Sequence, residues 1–242
     1  MLERALQTAV HAIYPPRCLV CGGLVESDFG LCGPCWRDTP FTAGLACDLC
    51  GAPLPGQSDR AEHCDDCLAT PRPWAQGRAP LVYAGNGRRL VLMLKHGDRH
   101  DIAATAAGWM ARVTRPILRE GMLAVPVPLH PRRHLKRRYN QAALLARGMA
   151  RALGIDWCPD ALRRGRHTPS LDGRGREERF ATLDAAITAV PRRAGRLAGR
   201  RVLLVDDVMT SGATLSAAAA ACHAAGATEI CVSVLARVTK DH

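Results

Sequence analysis

The chain has 242 residues, of which 48% are hydrophobic and 4% aromatic, and 33 basic residues against 22 acidic ones give a formal net charge of +11. This apolar content excludes a wholly disordered chain, because it offers enough surface to offset the entropy lost on ordering. Glu3, Arg4 and His11 interrupt the apolar pattern of residues 1–16, and the chain lacks a long uninterrupted apolar run, so neither a signal peptide nor a membrane span is expected. We therefore expect a cytoplasmic globular protein of one or two domains.

The positive charge is concentrated in one stretch. Residues 132–201 contain 18 basic and 6 acidic residues, a balance of +12, while the rest of the chain has 15 basic and 16 acidic residues, a balance of −1. A local positive field favours an anionic partner such as nucleic acid or a polyphosphate. The alternative is a solvated surface rich in arginine.

Composition divides the chain into four regions. Apolar residues recur at helical spacing between Leu2 and Ile13 and predict an amphipathic helix over residues 1–16. Residues 17–70 are rich in Cys, Gly, Pro and Asp, and cannot form a packed core without further support. Prolines between Pro71 and Pro80 predict a short linker. The pattern then changes to alternating strands and helices, which assigns residues 79–242 to another domain.

The cysteine-rich region contains four Cys-x-x-Cys pairs, which predict two structural zinc sites with four thiolates each. Gly22 and Gly51 each follow the second cysteine of a pair and suit a tight knuckle with positive φ. The alternatives are iron–sulfur clusters and redox pairs. Sequential grouping closes shorter loops than interleaved grouping and is favoured. The sequential groups are Cys18, Cys21, Cys32 and Cys35, then Cys47, Cys50, Cys64 and Cys67.

After the linker, strands alternate with helices in chain order. The predicted strands are Leu81–Tyr83, Met122–Val127, Val202–Val205 and Ile230–Leu235, and the predicted helices are Arg88–Leu94, Ile102–Leu118, Gln141–Leu153 and Leu215–Ala225. This alternation predicts an α/β fold with a doubly wound, mostly parallel sheet, whose ligand lies at the carboxyl ends of the strands. Residues 157–190 show no such pattern and are a candidate for an element that covers the ligand.

Residues 202–214 are the most informative stretch. A buried apolar strand leads into Asp206 and Asp207, a Thr-Ser-Gly turn follows, and a helix begins near Ala213. Such a turn directs backbone N–H groups, hydroxyls and the positive end of a helix dipole at one point, which predicts a phosphate site. The adjacent carboxylates suit vicinal hydroxyls, as in ribose 5-phosphate. The alternative is a strand-end turn with a helix cap.

These residues resemble the phosphoribosyl pyrophosphate (PRPP) motif of type I phosphoribosyltransferases. With the two cysteine groups in front of it, the full chain resembles the ComF family, which is known from bacterial competence and also as the GntX-type proteins. Three further stretches agree with the family pattern, namely Leu94-Lys95-His96-Gly97-Asp98, Val125-Pro-Val-Pro128 and Arg137-Arg-Tyr-Asn-Gln141. Arg138 stands where the family has Gly, and Tyr139 stands where it has Phe.

The resemblance implies a double zinc ribbon followed by a type I phosphoribosyltransferase-like domain, with roles for matching residues. Asp206 and Asp207 would bind the ribose hydroxyls. Lys95, Arg137 and Arg138 would face the pyrophosphate, with Mg²⁺, and Gly97 would allow close approach. The 5-phosphate would bind at Thr210, Ser211, Gly212, Ala213 and Thr214. Alternatively, Lys95 is a helix-end cation, and the two arginines belong to a solvated surface.

The resemblance also implies PRPP binding in DNA uptake or a related nucleic-acid process, with phosphoribosyl transfer to an unidentified acceptor. A second hypothesis is a non-catalytic adaptor that binds single-stranded DNA through the zinc domain and the basic residues 132–201, with Trp36, Phe41 and Trp74 near the cysteines as the few aromatic residues available for stacking. A third hypothesis is a nucleotide-salvage phosphoribosyltransferase.

Overall fold

A computed structural model describes residues 15–26, 30–96, 99–129, 139–165 and 186–239. The amphipathic helix expected over residues 1–16 lies almost wholly outside this part of the chain. Gly97, Arg137 and Arg138, which the resemblance assigns to the ligand, also lie outside it. The two cysteine groups and residues 202–214 lie within it.

The described part of the chain contains a six-stranded parallel sheet and a separate two-stranded antiparallel sheet. The strands are β1 (Gln76–Arg78), β2 (Leu81–Val82), β3 (Leu123–Pro126), β4 (Asp156–Trp157), β5 (Leu162–Arg164), β6 (Ile187–Ala189), β7 (Arg201–Met209) and β8 (Glu229–Arg237). The large sheet has the order β1-β8-β7-β3-β4, and β2 also pairs with β8. All of its pairings are parallel, which confirms the predicted fold class. The strands β5 and β6 form the small sheet.

Helices cover both faces of the large sheet. They are α1 (Gly33–Arg37), α2 (Asp65–Leu68), α3 (Gly85–His96), α4 (His100–Thr114), α5 (Gln141–Leu153), α6 (Ala194–Leu197) and α7 (Ala213–Ala224). The predicted helix over residues 102–118 ends earlier than expected and continues as a 3₁₀ turn, Arg115–Ile117, because Pro116 cannot extend the α-helical hydrogen bonding. Within the described ranges, no helix has the length and apolar character needed to cross a membrane.

Alternate side chains of β7 enter two separate cores. Leu203 and Val205 pack in the core that also contains buried residues of α3, α4 and α5. Val202 and Leu204 pack in the core that contains buried residues of α6 and α7. This alternation explains why the strand is a continuous apolar run, since a parallel strand covered on both faces needs apolar residues in both directions.

The cysteine-rich region repeats one local unit twice. In each copy the first cysteine donates its N–H to a carbonyl five residues later, Cys18 to Gly23 and Cys47 to Ala52. The third cysteine of each copy precedes a short helix, α1 in the first copy and α2 in the second. The two copies join different cores, because Cys18 packs with the α3–α5 core and Cys47 with the α6–α7 core.

Three features differ from the sequence-based expectations. The segment expected to be a linker, residues 71–80, contains β1, which pairs with Cys231–Ser233 of β8. Its Gln-Gly-Arg sequence has no apolar alternation, and Gly77 is required because a Cβ there would lie 2.3 Å from the carbonyl oxygen of Leu49. The strand β7 continues through Asp206 and Asp207 to Met209, and the strands β4, β5 and β6 were not expected.

Candidate functional site

The carboxyl end of β7 holds the acidic residues singled out from the sequence. Asp206 and Asp207 lie inside the strand, and residues 210–212 then turn the chain into α7. Asp207 is 9% exposed, and Thr210 lies at the surface. In a parallel sheet this edge is where ligands bind, because the loops that follow the strands converge there.

The turn into α7 depends on Gly212. This residue precedes the first helical residue and has φ 85° and ψ 0°, a left-handed conformation that side chains with a Cβ rarely adopt. A Cβ at this position would also lie 2.6 Å from Nη1 of Arg72. The N–H groups in the first turn of α7, which begins with Ala213 and Thr214, have no carbonyl group within their own helix to bind. They therefore favour an anion. We call residues 210–214 the 210–214 segment.

The two carboxylates have different surroundings. The N–H of Asp207 donates to Oδ1 of Asp206 at 2.8 Å, and Nζ of Lys95 lies 3.4 Å from Oδ2 of Asp207. Desolvation, followed by the negative charge of Asp207, raises the pKa of Asp206 to about 7, although the backbone hydrogen bond and Lys95 act in the opposite direction.

Lys95 lies in the last turn of α3, and two residues near the start of α5 hold that turn in place. The hydroxyl of Tyr139 donates to the carbonyl oxygen of Leu94 at 2.7 Å, and Nε2 of Gln141 donates to that of Lys95 at 3.4 Å. Gln141 is 1% exposed. The sequence motif at residues 137–141 drew attention because of its two arginines. The structure shows that Tyr139 and Gln141 of the same motif position the end of α3, a role that was not predicted.

Asn140 joins the start of α5 to the end of β3. Its Oδ1 accepts the N–H of Ala142 at 3.0 Å as the helix cap, and its Nδ2 donates to the carbonyl oxygen of Val127 at 3.0 Å. The N–H of Val127 in turn donates to the carbonyl oxygen of Val205 at 2.9 Å. The Val125–Pro128 stretch, the start of α5 and β7 therefore meet at one edge of the sheet.

Two arginines that sequence reasoning missed bind the backbone of the turn. Nη1 of Arg72 donates to the carbonyl oxygen of Ser211 at 2.6 Å, and Nη1 of Arg237 donates to that of Thr210 at 2.8 Å. Arg72 was overlooked because it lies in the segment taken for a linker. Arg237 carried a usable signal, because it ends a buried apolar strand, where a charged side chain needs a partner.

The cysteines form two groups in sequential order. We call Cys18, Cys21, Cys32 and Cys35 the first cluster, and Cys47, Cys50, Cys64 and Cys67 the second cluster. Within each cluster the four sulfurs lie within 4.8 Å of one another. Sulfurs of adjacent pairs are 3.7 Å apart in the first cluster, from Cys21 to Cys32, and 3.6 Å apart in the second, from Cys50 to Cys64. Tetrahedral zinc with Zn–S bonds of about 2.3 Å places its sulfurs about 3.8 Å apart, so both clusters fit zinc.

The second cluster needs a cation to hold four thiolates. Hydrogen bonds from Cys47 and the other cysteines lower the pKa of Cys50, whereas hydrogen bonds with Cys47 and Cys50 raise the pKa of Cys64. The pKa of Cys67 is raised in the same way. Four adjacent sulfurs therefore do not ionise together unless a metal ion balances their charge, and all four cysteines are ligands of the kind that structural zinc takes.

The aromatic residues near the cysteines do not form one surface. Trp74 is 5% exposed, and its Nε1 donates to the carbonyl oxygen of Leu49 at 2.7 Å, so it is a core residue. Trp36 is 52% exposed and packs on Phe41, with ring centroids 4.4 Å apart. Of the three aromatics considered as stacking surfaces for single-stranded DNA, Trp74 is thus not accessible.

Part of the basic stretch 132–201 has local partners. Arg193 and Arg192 lie 2.9 and 3.4 Å from the carboxylate of Asp160. Arg200 lies 3.1 Å from Asp156. These arginines pair with carboxylates of the same domain, which reduces the charge that they present to an anionic partner.

Comparison with known proteins finds matches for two regions of the chain and for most of its length. A family model described as a double zinc ribbon domain matches residues 9–68, and one described as a phosphoribosyl transferase domain matches residues 140–241. Competence protein F of Haemophilus influenzae is 30% identical over 227 residues, which cover 91% of this chain and 96% of that protein. DNA utilization protein YhgH of Escherichia coli K12 is 30% identical over 213 residues, covering 84% and 88%.

Two solved structures are more distant. The protein TT1426 from Thermus thermophilus has a TM-score of 0.35 and 18% identity, and covers 58% of this chain and 85% of its own. A hypoxanthine phosphoribosyltransferase from Staphylococcus aureus has a TM-score of 0.34 and 9% identity, and covers 64% and 77%. Both scores are low, and the fold assignment rests on the parallel sheet and on the domain that matches residues 140–241.

Proposed function

Because the chain belongs to the ComF family, we propose that it binds PRPP and acts in DNA uptake or a related step of nucleic-acid metabolism. The observation that carries the proposal is that two carboxylates, a left-handed glycine turn, a helix N-terminus and a lysine converge at one edge of the sheet. The DNA context is taken from the names of the relatives, a competence protein and a DNA utilization protein.

The 210–214 segment is suited to the 5-phosphate. Backbone N–H groups at the start of α7, the hydroxyls of Thr210, Ser211 and Thr214, and the helix dipole all favour a phosphate dianion. Ala213 carries only a methyl group, so the ligand can approach the backbone closely there.

We expect Asp206 and Asp207 to accept hydrogen bonds from the ribose hydroxyls. Nζ of Lys95 lies 3.4 Å from Oδ2 of Asp207. In the complex we expect Lys95 to turn toward the pyrophosphate, joined by Arg137 and Arg138, with Gly97 allowing close approach of the ligand. The two carboxylates also offer oxygen donors of the kind that Mg²⁺ prefers, and Mg²⁺ bound with PRPP would neutralise charge on the leaving pyrophosphate.

Phosphoribosyl transfer is the chemistry that this arrangement supports. The bond from C1 of the ribose to pyrophosphate breaks, a bond from C1 to the acceptor nucleophile forms, and the acceptor loses a proton. Positive charge develops on the ribose as pyrophosphate leaves, and the carboxylates of Asp206 and Asp207 would stabilise it. Lys95 would stabilise the opposite charge on the departing group.

Calorimetric titration of the zinc-loaded protein with PRPP and Mg²⁺ tests the proposal. We expect binding by the wild-type protein, and a loss of about 100-fold in affinity for the Asp206→Asn/Asp207→Asn variant, because the neutral amides hold the ribose hydroxyls less strongly and interact less favourably with a bound cation. The control is Asp156→Asn, which makes the same chemical change at β4, where the carboxylate binds Arg200 instead.

A wild-type protein that does not bind PRPP would overturn the assignment. Equal affinity of the double variant and the wild type would overturn the roles of Asp206 and Asp207. If PRPP fails to bind while single-stranded DNA binds with a steep dependence on salt, the adaptor hypothesis becomes the better one. Turnover with a free nucleobase would instead favour the salvage enzyme.

A further inference from the structure

Three consecutive carbonyl groups, at the last residue of β7 and in the turn after it, are bound by arginine side chains. Nη1 of Arg237 donates to the carbonyl oxygens of Met209 and Thr210 at 3.4 and 2.8 Å. Nη1 of Arg72 donates to that of Ser211 at 2.6 Å. The two arginines come from distant parts of the chain, before β1 and at the end of β8.

These contacts determine where the amide groups of the turn point. In a trans peptide the C=O of one residue and the N–H of the next point in opposite directions. Arg237 and Arg72 bind the carbonyls of residues 210 and 211, and Arg237 joins the N–H of Val238 on that of Met209. We therefore expect the N–H groups of residues 210–212 to point away from these donors. Successive N–H groups that point the same way form a concave anion site. The guanidinium charges behind the backbone further favour an anion there.

Both arginines are in turn held by the second cluster. Nε of Arg72 donates to Sγ of Cys67 at 3.4 Å, and its guanidinium lies over the ring of Trp74. Nη2 of Arg237 lies 3.4 Å from Oδ2 of Asp66, and Arg237 is 2% exposed. Asp66 and Cys67 are neighbours in α2, the short helix that begins directly after Cys64. Hydrogen bonds to metal-ligating side chains typically orient a metal site. Here the residues that make these contacts, Arg72 and Arg237, also bind the backbone of residues 209–211.

We propose that Arg72 and Arg237 are positioning residues that orient the amide groups of the 210–214 segment, and that the metal-bound second cluster fixes both arginines through Cys67 and Asp66. The proposal rests on the proposed function in one respect, that phosphate is the anion these amides receive. Metal in the second cluster then sets phosphate affinity. The first cluster packs in the other core, and the proposal gives it no such role.

Arg72→Gln is the first test, in zinc-loaded protein. Glutamine is too short to bridge Ser211 and Cys67 and carries no charge, so we expect the amide resonances of residues 210–212 to shift in ¹⁵N spectra, and PRPP affinity to fall about tenfold. The Arg72→Lys variant keeps the charge and should recover part of the affinity. The matched control is Arg78→Gln. Arg78 lies in β1 and binds Asp48, which is next to Cys47 of the second cluster, but it makes no contact with the turn among its hydrogen bonds in the structure.

Asp66→Asn is the second test, because it leaves the four cysteines in place and weakens the contact to Arg237. We expect two zinc ions per chain, as in the wild type, with shifted amide resonances at residues 210 and 211 and lower PRPP affinity. Retained zinc with altered loop spectra separates a positioning role from a purely structural one.

Unchanged amide resonances of residues 210–212 in both variants would overturn the inference, whatever PRPP does. Equal effects of Arg78→Gln and Arg72→Gln on those resonances would overturn it as well, since the effect would then be general. If the spectra change as expected but the wild-type protein binds no PRPP, the positioning role stands and the proposed ligand is wrong.

Discussion

The two cysteine clusters share their local structure and differ in what surrounds them. Both use the same knuckle, in which the glycine after the second cysteine has a positive φ, 76° at Gly22 and 70° at Gly51. Both place their third cysteine just before a short helix, with nearly the same backbone conformation at Cys32 and Cys64. Considered as isolated loops, they are two copies of one unit.

Their environments are different. Cys21 of the first cluster is exposed, whereas its counterpart Cys50 in the second cluster is 0% exposed. The second cluster also lies against β1 through Leu49, and Cys67 with its neighbour Asp66 binds the two arginines that reach the 210–214 segment. A repeated metal unit therefore takes its role from the surface on which it packs, since the ligands are the same in both copies.

The largest expected effect comes from replacing a cysteine, and it differs between equivalent positions of the two clusters. Cys50→Ser should abolish metal binding in the second cluster and lower the free energy of unfolding by about 5 kcal/mol, because metal binding there is coupled to the packing of a core. Cys21→Ser should cost about 2 kcal/mol, because its cluster is more exposed and supports less of the core. Zinc content by mass spectrometry and chemical unfolding measure both. Equal losses would show that the two clusters contribute alike to the fold.

The tryptophan near each cluster gives the next comparison. Trp74→Ala should lower the free energy of unfolding by about 4 kcal/mol, because it empties a buried site and leaves the carbonyl of Leu49 without its donor. Trp36→Ala should cost about 1 kcal/mol, since that ring is half exposed. Urea unfolding followed by circular dichroism measures the difference. A larger loss at Trp36 would mean that the first cluster is the more tightly packed one.

The smallest difference is expected for the knuckle glycines, which are matched in conformation. Gly22→Ala should cost about 1 kcal/mol, the strain of a left-handed residue with a Cβ, because nothing lies within 4 Å of the new atom. Gly51→Ala should cost about 3 kcal/mol, because its Cβ would also lie 2.4 Å from the backbone nitrogen of Ala79. Thermal unfolding of the zinc-loaded variants measures both, and equal shifts would contradict the close approach of the second cluster to the sheet.

Local features of the site were accessible from the sequence. The spacing of the cysteines predicts their grouping because each cluster closes within a short loop. The order of apolar strand, carboxylates, small turn and helix predicts the conformation of residues 202–214 for the same reason. Each of these depends on neighbours along the chain, where residue type limits backbone conformation.

Contacts between distant residues were not accessible. Arg72 and Ser211 are far apart in sequence, and no periodicity connects them. The strand β1 forms from Gln-Gly-Arg, which has poor strand character, because β8 offers an open edge and only a glycine fits beneath Leu49. Tyr139 and Gln141 bind the end of α3 through their side chains. The motif at residues 137–141 was interpreted through its arginines, which gave no reason to expect these contacts.

The pairing of β1 with β8 affects the order in which a newly made chain can fold. The ribosome releases both clusters and β1 long before β8, the partner strand of β1, and at typical synthesis rates the delay is on the order of 10 s. During that interval the second cluster can close around a metal ion through its own short loops, while the apolar surface that later packs against β8 is still exposed. Metal supply during translation therefore decides whether this surface meets β8 already shaped or still unstructured.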